Sequence, residues 1–281
     1  MDKKNVIIIG AAGSLGLSLC KLLSESEGYN ISAVDLNENN LAYLHRLYNI
    51  FTYIEDLQNT DELIKIIEKN NIDMVVNCAA LKHVRWCENN IRHAIDINIL
   101  ANLNLMQYLH ENSKNFLYIS SDKAVEPTNL YALTKQFTDY IVNHYNFQLV
   151  RGVNFFNSKG SVMDIWDTQR RFNKPFTVTT DNCKRYFILK DQMAELVKKS
   201  IDDNSVKERY PDKVFGIYIQ DLFDSYLEFC NLKKEDCDIE TFSIPSNEKL
   251  CENLDFEPEI VELDTHDKIL DMIRLGLEGL Y

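Results

Sequence analysis

The feature that most constrains this chain is a regular alternation of short apolar strands and helix-patterned segments. Asn5 to Ile9 is a β-branched run ending at Gly10, and Leu15 to Leu23 repeats apolar residues at helical spacing, so strand, turn and helix follow in quick succession. The rhythm then recurs. Ile31 to Val34, Phe51 to Ile54, Met74 to Val76, Phe116 to Ile119 and Phe147 to Val150 read as strands. Helices are predicted over Asn39 to Leu47, Asp61 to Glu68, Asn90 to His110 and Tyr131 to His144. Strands this apolar have no wet face, which predicts an α/β fold with a doubly wound parallel sheet covered on both sides. Beyond about Arg151 the rhythm loosens, with strands at Phe176 to Thr179 and Val214 to Ile219 and helices at Asp191 to Ser200 and Thr265 to Leu280. The chain therefore divides into a dinucleotide-binding domain over 1–155, which carries the catalytic residues, and a smaller lobe over 156–281 that is not an independent domain. No Pro/Gly/Ser-rich linker separates the parts, so they are expected to pack together around a cleft.

Composition excludes several alternatives. With 30 Lys+Arg against 43 Asp+Glu the formal net charge is −13, so a nucleic acid meets net repulsion. Seven cysteines, odd in number and without a C-x-x-C, fit reduced cytoplasmic thiols better than a disulfide framework or a metal site. No apolar run is long enough to cross a bilayer, which argues against membrane insertion. Lys3 and Lys4, the apolar stretch from Val6 and then Cys20 imitate a lipoprotein leader; Leu19, where such a site requires a small residue, opposes that reading.

The chemistry is expected at the carboxyl ends of the strands, where ligands sit in open parallel sheets. Gly10, Gly13 and Gly16 form G-x-x-G-x-x-G between the first strand and the first helix, a pattern that lets backbone N–H groups approach a pyrophosphate. An ordinary tight turn also uses such glycines. Support comes from Asp35, nineteen residues after Gly16 at the end of the second strand, placed to accept hydrogen bonds from ribose hydroxyls. Leu36 and Asn37 follow it, offering no cation to a 2′-phosphate, so NAD is favoured over NADP. Asp56 suits either the adenine amino group or a solvated loop.

Ser120-Ser121-Asp122-Lys123 follows the fifth strand, and Tyr131-x-x-x-Lys135 places a phenol and an ammonium one turn apart on the next helix. A phenol with an ordinary pKa near 10 is a poor base at neutral pH. A neighbouring cation and a hydrogen bond stabilise phenolate, and Lys135 and Ser121 are the expected sources. Tyr131 then takes a hydroxyl proton as hydride leaves for nicotinamide.

With these motifs in order, the chain resembles the extended short-chain dehydrogenase/reductases of Rossmann type, and within them the polysaccharide-biosynthesis nucleotide-sugar 4,6-dehydratases. The resemblance is carried by Ile9 to Gly16, Cys78-Ala79-Ala80-Leu81-Lys82-His83-Val84, Ser120 to Lys123 and Asn129 to Lys135. It continues through Arg151-Gly152-Val153-Asn154, Ser158 to Val162, Phe176 to Thr179 and Arg185-Tyr186-Phe187. It implies oxidation of UDP-N-acetylglucosamine at carbon 4, loss of water across carbons 5 and 6, and return of the same hydride to carbon 6. It also implies Lys123 as the base at carbon 5 and Asp122 as the acid at carbon 6, or the reverse. Ser14, Leu15, Leu57, Ala79, Ala80, Tyr131 and Lys135 would line the cofactor. Lys82, Asn154, Ser158, Lys159, Ser161 and Arg185 would contact the nucleotide sugar, and a homodimer or larger assembly is implied. The family's R-P-G-E-K-L segment is matched only by Ile244 to Leu250, with one residue inserted and no arginine. Two alternatives accompany this reading. One is a 4-epimerase or 4-oxidase, which gains nothing from Asp122-Lys123; the other is a catalytically silent nucleotide-binding regulatory or structural protein.

Overall fold

The computed structural model of the chain describes residues 3–278. Its elements follow in the order β1 (Lys4–Ile9), α1 (Ser14–Glu25), β2 (Tyr29–Asp35), α2 (Glu38–Tyr48), β3 (Phe51–Ile54), α3 (Thr60–Lys69) and β4 (Met74–Asn77). Then come α4 (Val84–Asn89), α5 (Ile91–Ile95), α6 (Ala101–Glu111), β5 (Asn115–Ser121), α7 (Leu130–His144), β6 (Gln148–Gly152), β7 (Asn154–Phe155) and α8 (Val162–Arg171). The chain continues as β8 (Phe176–Thr179), β9 (Lys184–Ile188), α9 (Lys190–Asp202), β10 (Glu208–Arg209), β11 (Lys213–Tyr218) and α10 (Ile219–Phe229). Last are β12 (Ile239–Phe242), β13 (Glu259–Glu262) and α11 (His266–Glu278). The helix predicted to run to Leu280 is described to Glu278; its last two residues lie outside the described residues.

Two units result. The first comprises residues up to Gly152 together with Lys190–Tyr210. Its seven strands form a sheet in the order β10-β6-β5-β4-β1-β2-β3, every pair parallel. The order reverses between β1 and β4, and such a reversal opens a crevice at the carboxyl edge of the sheet. The central strands are the apolar ones: Ile7, Ile9, Val75, Phe116, Tyr118 and Leu149 are buried in one cluster with Leu63, Leu105 and Leu109 from the covering helices. By contrast, β3 is an edge strand with Phe51 and Ile54 exposed, so the expectation of burial on both faces fails there.

Residues 190–210, which the sequence assigns to the C-terminal lobe, return to the first unit. The amphipathic helix α9 buries Met193, Ala194, Val197 and Ile201, and its face covers α1. Gln148 Nε2 donates to the carbonyls of Ser200 (3.1 Å), Asp203 (3.3 Å) and Val206 (3.1 Å), while β10 adds to the sheet beside β6. Sequence order hides this return because the chain leaves for the second unit between β6 and α9.

The helix predicted over Asn90 to His110 is continuous but irregular, with α5 and α6 joined by a π-helical turn at Asp96–Leu100. The second unit comprises Val153–Leu189 and the chain from Pro211 onward. It holds a four-stranded sheet, β13-β11-β9-β7, and a two-stranded sheet, β12-β8. Its core is aromatic: Trp166 stacks 4.9 Å from Phe223, and Phe176 lies 5.6 Å from the same ring.

Candidate active site

The glycine loop is built by two different constraints. Gly10 has φ +80°, and a Cβ there would stand 2.6 Å from Ala79 N and 2.8 Å from Cys78 C, so the loop after β4 leaves no room for a side chain. At Gly16 a Cβ would lie 2.2 Å from Gly10 O and 2.6 Å from Ala11 Cα. Internal packing therefore requires glycine at these two positions, in addition to the ligand approach expected of the trio. Gly13 is the least crowded of the three, a Cβ there meeting Gly10 O at 3.2 Å. It caps α1 without a side chain, and no acidic residue lies in the first turn, so the positive end of the helix dipole faces the loop. Leu15 is buried, which leaves only its backbone for a ligand. Gly16→Ala is expected to cost about 1–3 kcal/mol, the usual penalty for overpacking, read as a lower midpoint of urea unfolding.

Asp35 ties this loop to β2. One carboxylate oxygen accepts from Ala12 N at 2.9 Å and the other from Asn37 N at 2.9 Å, leaving further lone pairs on a partly exposed carboxylate. Asp56 instead closes a local turn, accepting from Gln58 N at 2.9 Å, and Leu57 is buried beside it.

The loop after β4 is held by amides. Asn77 Nδ2 donates to Asn102 Oδ1 at 2.6 Å and Asn77 Oδ1 accepts from Ala79 N at 2.8 Å. Asn98 lies in the π turn and is fully buried. It accepts from Leu81 N (2.8 Å), donates to Leu81 O (2.9 Å) and donates to Thr134 Oγ1 (3.0 Å). Its own carbonyl accepts from Thr138 Oγ1 at 2.7 Å. One side chain thus fixes the Ala79-Ala80-Leu81-Lys82 backbone against α7. Lys82 and His83 themselves are exposed, the His83 ring 5.4 Å from that of Trp86.

The end of β5 and the start of α7 bring the reactive groups together. Asn129 caps α7 by accepting from Ala132 N at 3.0 Å, which seats Tyr131 in the first turn. Asp122 is fully buried; its Oδ1 accepts from Ser121 Oγ (2.9 Å) and Lys123 Nζ (3.2 Å), while Oδ2 is buried without a hydrogen-bond partner. Burial pushes the Tyr131 phenol up to about 12; Lys123 opposes this, Asp122 reinforces it, and a hydrogen bond with Ser121 opposes it. Lys123 thus joins Lys135, the cation expected from the sequence, as a group whose charge can favour phenolate. Lys135 is buried, donates to Ile119 O at 2.8 Å and sits 4.4 Å from the centre of the Tyr118 ring. Burial holds its ammonium down to about 8, with Asp139 and Cys78 acting in the opposite sense.

In the second unit, Asn154 donates to Tyr186 O at 2.9 Å. Ser161 caps α8 by accepting from Asp164 N, and Ser158 is buried in the preceding turn while Lys159 is exposed. Arg185 Nη1 donates to the carbonyls of Lys184 (3.0 Å) and Leu250 (3.1 Å), and Lys184 N also donates to Leu250 O. Arg185 therefore anchors the end of the Ile244 to Leu250 segment to β9. Sequence reasoning missed the amide pair Asn77 and Asn102 and the buried pair Asp139 and Arg151. An arginine in the short, buried strand β6 and an acid one turn after Lys135 on α7 were the available signals.

Comparison with known proteins sets this geometry in context. A family model described as polysaccharide biosynthesis protein matches residues 6–274. An uncharacterized membrane protein of Methanocaldococcus jannaschii is 29% identical, over 98% of this chain and 87% of its own. The capsular polysaccharide biosynthesis protein CapD of Staphylococcus aureus is 28% identical over 96% of this chain, which spans about half, 48%, of its length. A UDP-N-acetylglucosamine 4,6-dehydratase (inverting) of Campylobacter jejuni is 27% identical over 79% of this chain and 70% of its own. Among solved structures, the UDP-glucuronic acid 4-epimerase of Bacillus cereus, in complex with UDP-glucuronic acid and NAD, superposes with a TM-score of 0.81 at 17% identity. It covers 99% of this chain and all of its own, a likeness of fold.

Proposed function

The chain belongs to the polysaccharide biosynthesis protein family of extended short-chain dehydrogenase/reductases, and from that membership we propose that it is an NAD-dependent 4,6-dehydratase of UDP-N-acetylglucosamine. The observation that carries the proposal is Asp122 and Lys123 beside Tyr131. A fully buried carboxylate hydrogen-bonded to a lysine, with one oxygen unpartnered, is an acid–base pair that oxidation or epimerisation at carbon 4 does not need.

The chain's own residues fit NAD. Gly13 and the first turn of α1 suit a pyrophosphate, Asp35 suits the ribose hydroxyls, and Ala79 and Ala80 keep the loop after β4 small. Ser14, Leu15 and Leu57 complete this assignment, with Asp56 toward the adenine. Held by these residues, NAD would supply the acceptor and donor of the hydride that leaves carbon 4 and returns at carbon 6. Tyr131 takes the proton of the carbon 4 hydroxyl, with Ser121 orienting the phenolic oxygen and Lys123 favouring its charge. The new ketone acidifies the hydrogen on carbon 5; once the Lys123 ammonium has passed a proton to Asp122, neutral Lys123 removes that hydrogen while Asp122 protonates the departing hydroxyl at carbon 6, and Lys123 returns the proton to carbon 5 as hydride adds at carbon 6, so that one water is lost overall. Lys82, Asn154, Ser158, Lys159, Ser161 and Arg185 are assigned to the nucleotide sugar.

The test is the mass of the product. Incubation with UDP-N-acetylglucosamine and NAD should yield a nucleotide sugar lighter by one water that reacts with a carbonyl reagent. A product of unchanged mass overturns the proposal in favour of an epimerase, and inactivity toward every nucleotide sugar tested favours a silent binding protein.

A further inference from the structure

The turn bearing Asp122 and Lys123 projects from the end of β5 and is closed locally by Ser121 Oγ, which accepts from Lys123 N at 3.3 Å and donates to Asp122 Oδ1 at 2.9 Å. The strand end from which it departs is braced from behind. Arg151, at the end of β6, is buried, and its Nη1 donates to Ser121 O (3.3 Å), Ser120 Oγ (3.2 Å) and Asp139 Oδ2 (2.8 Å). Ser120 Oγ in turn donates to Asp139 Oδ2 at 2.8 Å. Asp139 lies on α7, one turn beyond Lys135 and two beyond Tyr131. A single guanidinium nitrogen thus joins β5, β6 and α7 at the residue from which the Ser121-Asp122-Lys123 turn departs. A buried ion pair adds little stability over well-packed apolar residues of similar size, so its energetics alone do not account for its presence at this place.

We propose that Asp139 and Arg151 are a positioning pair, which fixes the Ser120–Ser121 backbone and thereby aims Asp122 and Lys123 for the elimination step. The consequence for turnover rests on the dehydratase reading; the consequence for local order does not. Misplacement of reacting groups by about an ångström slows a step by on the order of a hundredfold. Burial raises the Asp139 carboxyl while Arg151 opposes this, so removing Arg151 alone strips a buried acid of its ion-pair partner and confounds loss of aim with loss of stability.

The deciding variant is therefore the double replacement Asp139→Leu with Arg151→Met, which removes both charges. It should keep a Tm at or above that of the unaltered protein. Amide hydrogen exchange should accelerate over residues 120–125 and stay unchanged in β1 and β4. With UDP-N-acetylglucosamine, kcat should fall about a hundredfold with KM nearly unchanged, and the near-ultraviolet absorbance of reduced nicotinamide should build up. Arg151→Lys, which keeps a donor to the Ser121 carbonyl, should recover part of the rate. Unchanged exchange over 120–125 overturns the proposal, and so does accelerated exchange with native turnover. If the unaltered protein eliminates water from no nucleotide sugar, the functional reading fails and the exchange measurement alone decides the positioning role.

Discussion

Tyr131→Phe is expected to abolish hydride transfer, lowering kcat by about 10²–10⁴-fold, the range associated with losing a positioned general base. The ring packs beside Cys87 and Ala94 in a small apolar cluster, so phenylalanine keeps the fold and removes only the oxygen. A single turnover with UDP-N-acetylglucosamine should show no absorbance of reduced nicotinamide, and formation at the native rate would remove Tyr131 from the mechanism. The pH dependence follows from the same environment. Burial raises the phenol to about 12, and the base is its deprotonated form, so the rate should climb with pH as the proton becomes easier to lose. Lys135 acts in the opposite sense. Its ammonium, held down to about 8 by burial, is lost as pH rises past that point, and the profile should flatten or turn over there if its charge supports the step.

Lys123→Ala is expected to separate the two halves of the reaction while slowing both. Elimination should fall by about 10²–10⁴-fold because the base at carbon 5 is gone. Oxidation should persist at a reduced rate, since Lys123 is also a cation that lowers the Tyr131 phenol, and its acid limb should move to higher pH. Reduced nicotinamide should therefore accumulate in this variant and be absent in Tyr131→Phe. Equal and complete loss of hydride transfer in both would contradict this division of roles. Asp122, fully buried, keeps Ser121 as a donor and loses the ammonium at 3.2 Å, so the variant should also lose about 1–3 kcal/mol of stability.

Much of the site was legible in the residues. The glycine spacing, the aspartate ending the second strand, the strand-end serines and the helical tyrosine and lysine are local patterns, and each element formed where its pattern stood. The reasons behind them were less legible. Gly10 and Gly16 lack side chains because of Ala79 and of the loop's own backbone, contacts that no spacing rule contains. Asn98 stands in a stretch patterned as one helix, and its grip on Leu81 depends on the π turn that directs it there. Arg185, expected to meet an anion, also binds two backbone carbonyls, contacts that no local pattern announces.

By itself, the sequence determined the alternation of strands and helices through the first six strands and the run of hydroxyl, acidic and basic side chains after the fifth, because periodicity and turn chemistry act over a few residues. Only the tertiary structure decided which groups surround the phenol, where residues 190–210 pack and what braces the strand end before Asp122. These depend on contacts between segments far apart in the chain. Burial, which sets the charge states of Tyr131 and Lys135, exists only once those segments have closed over them.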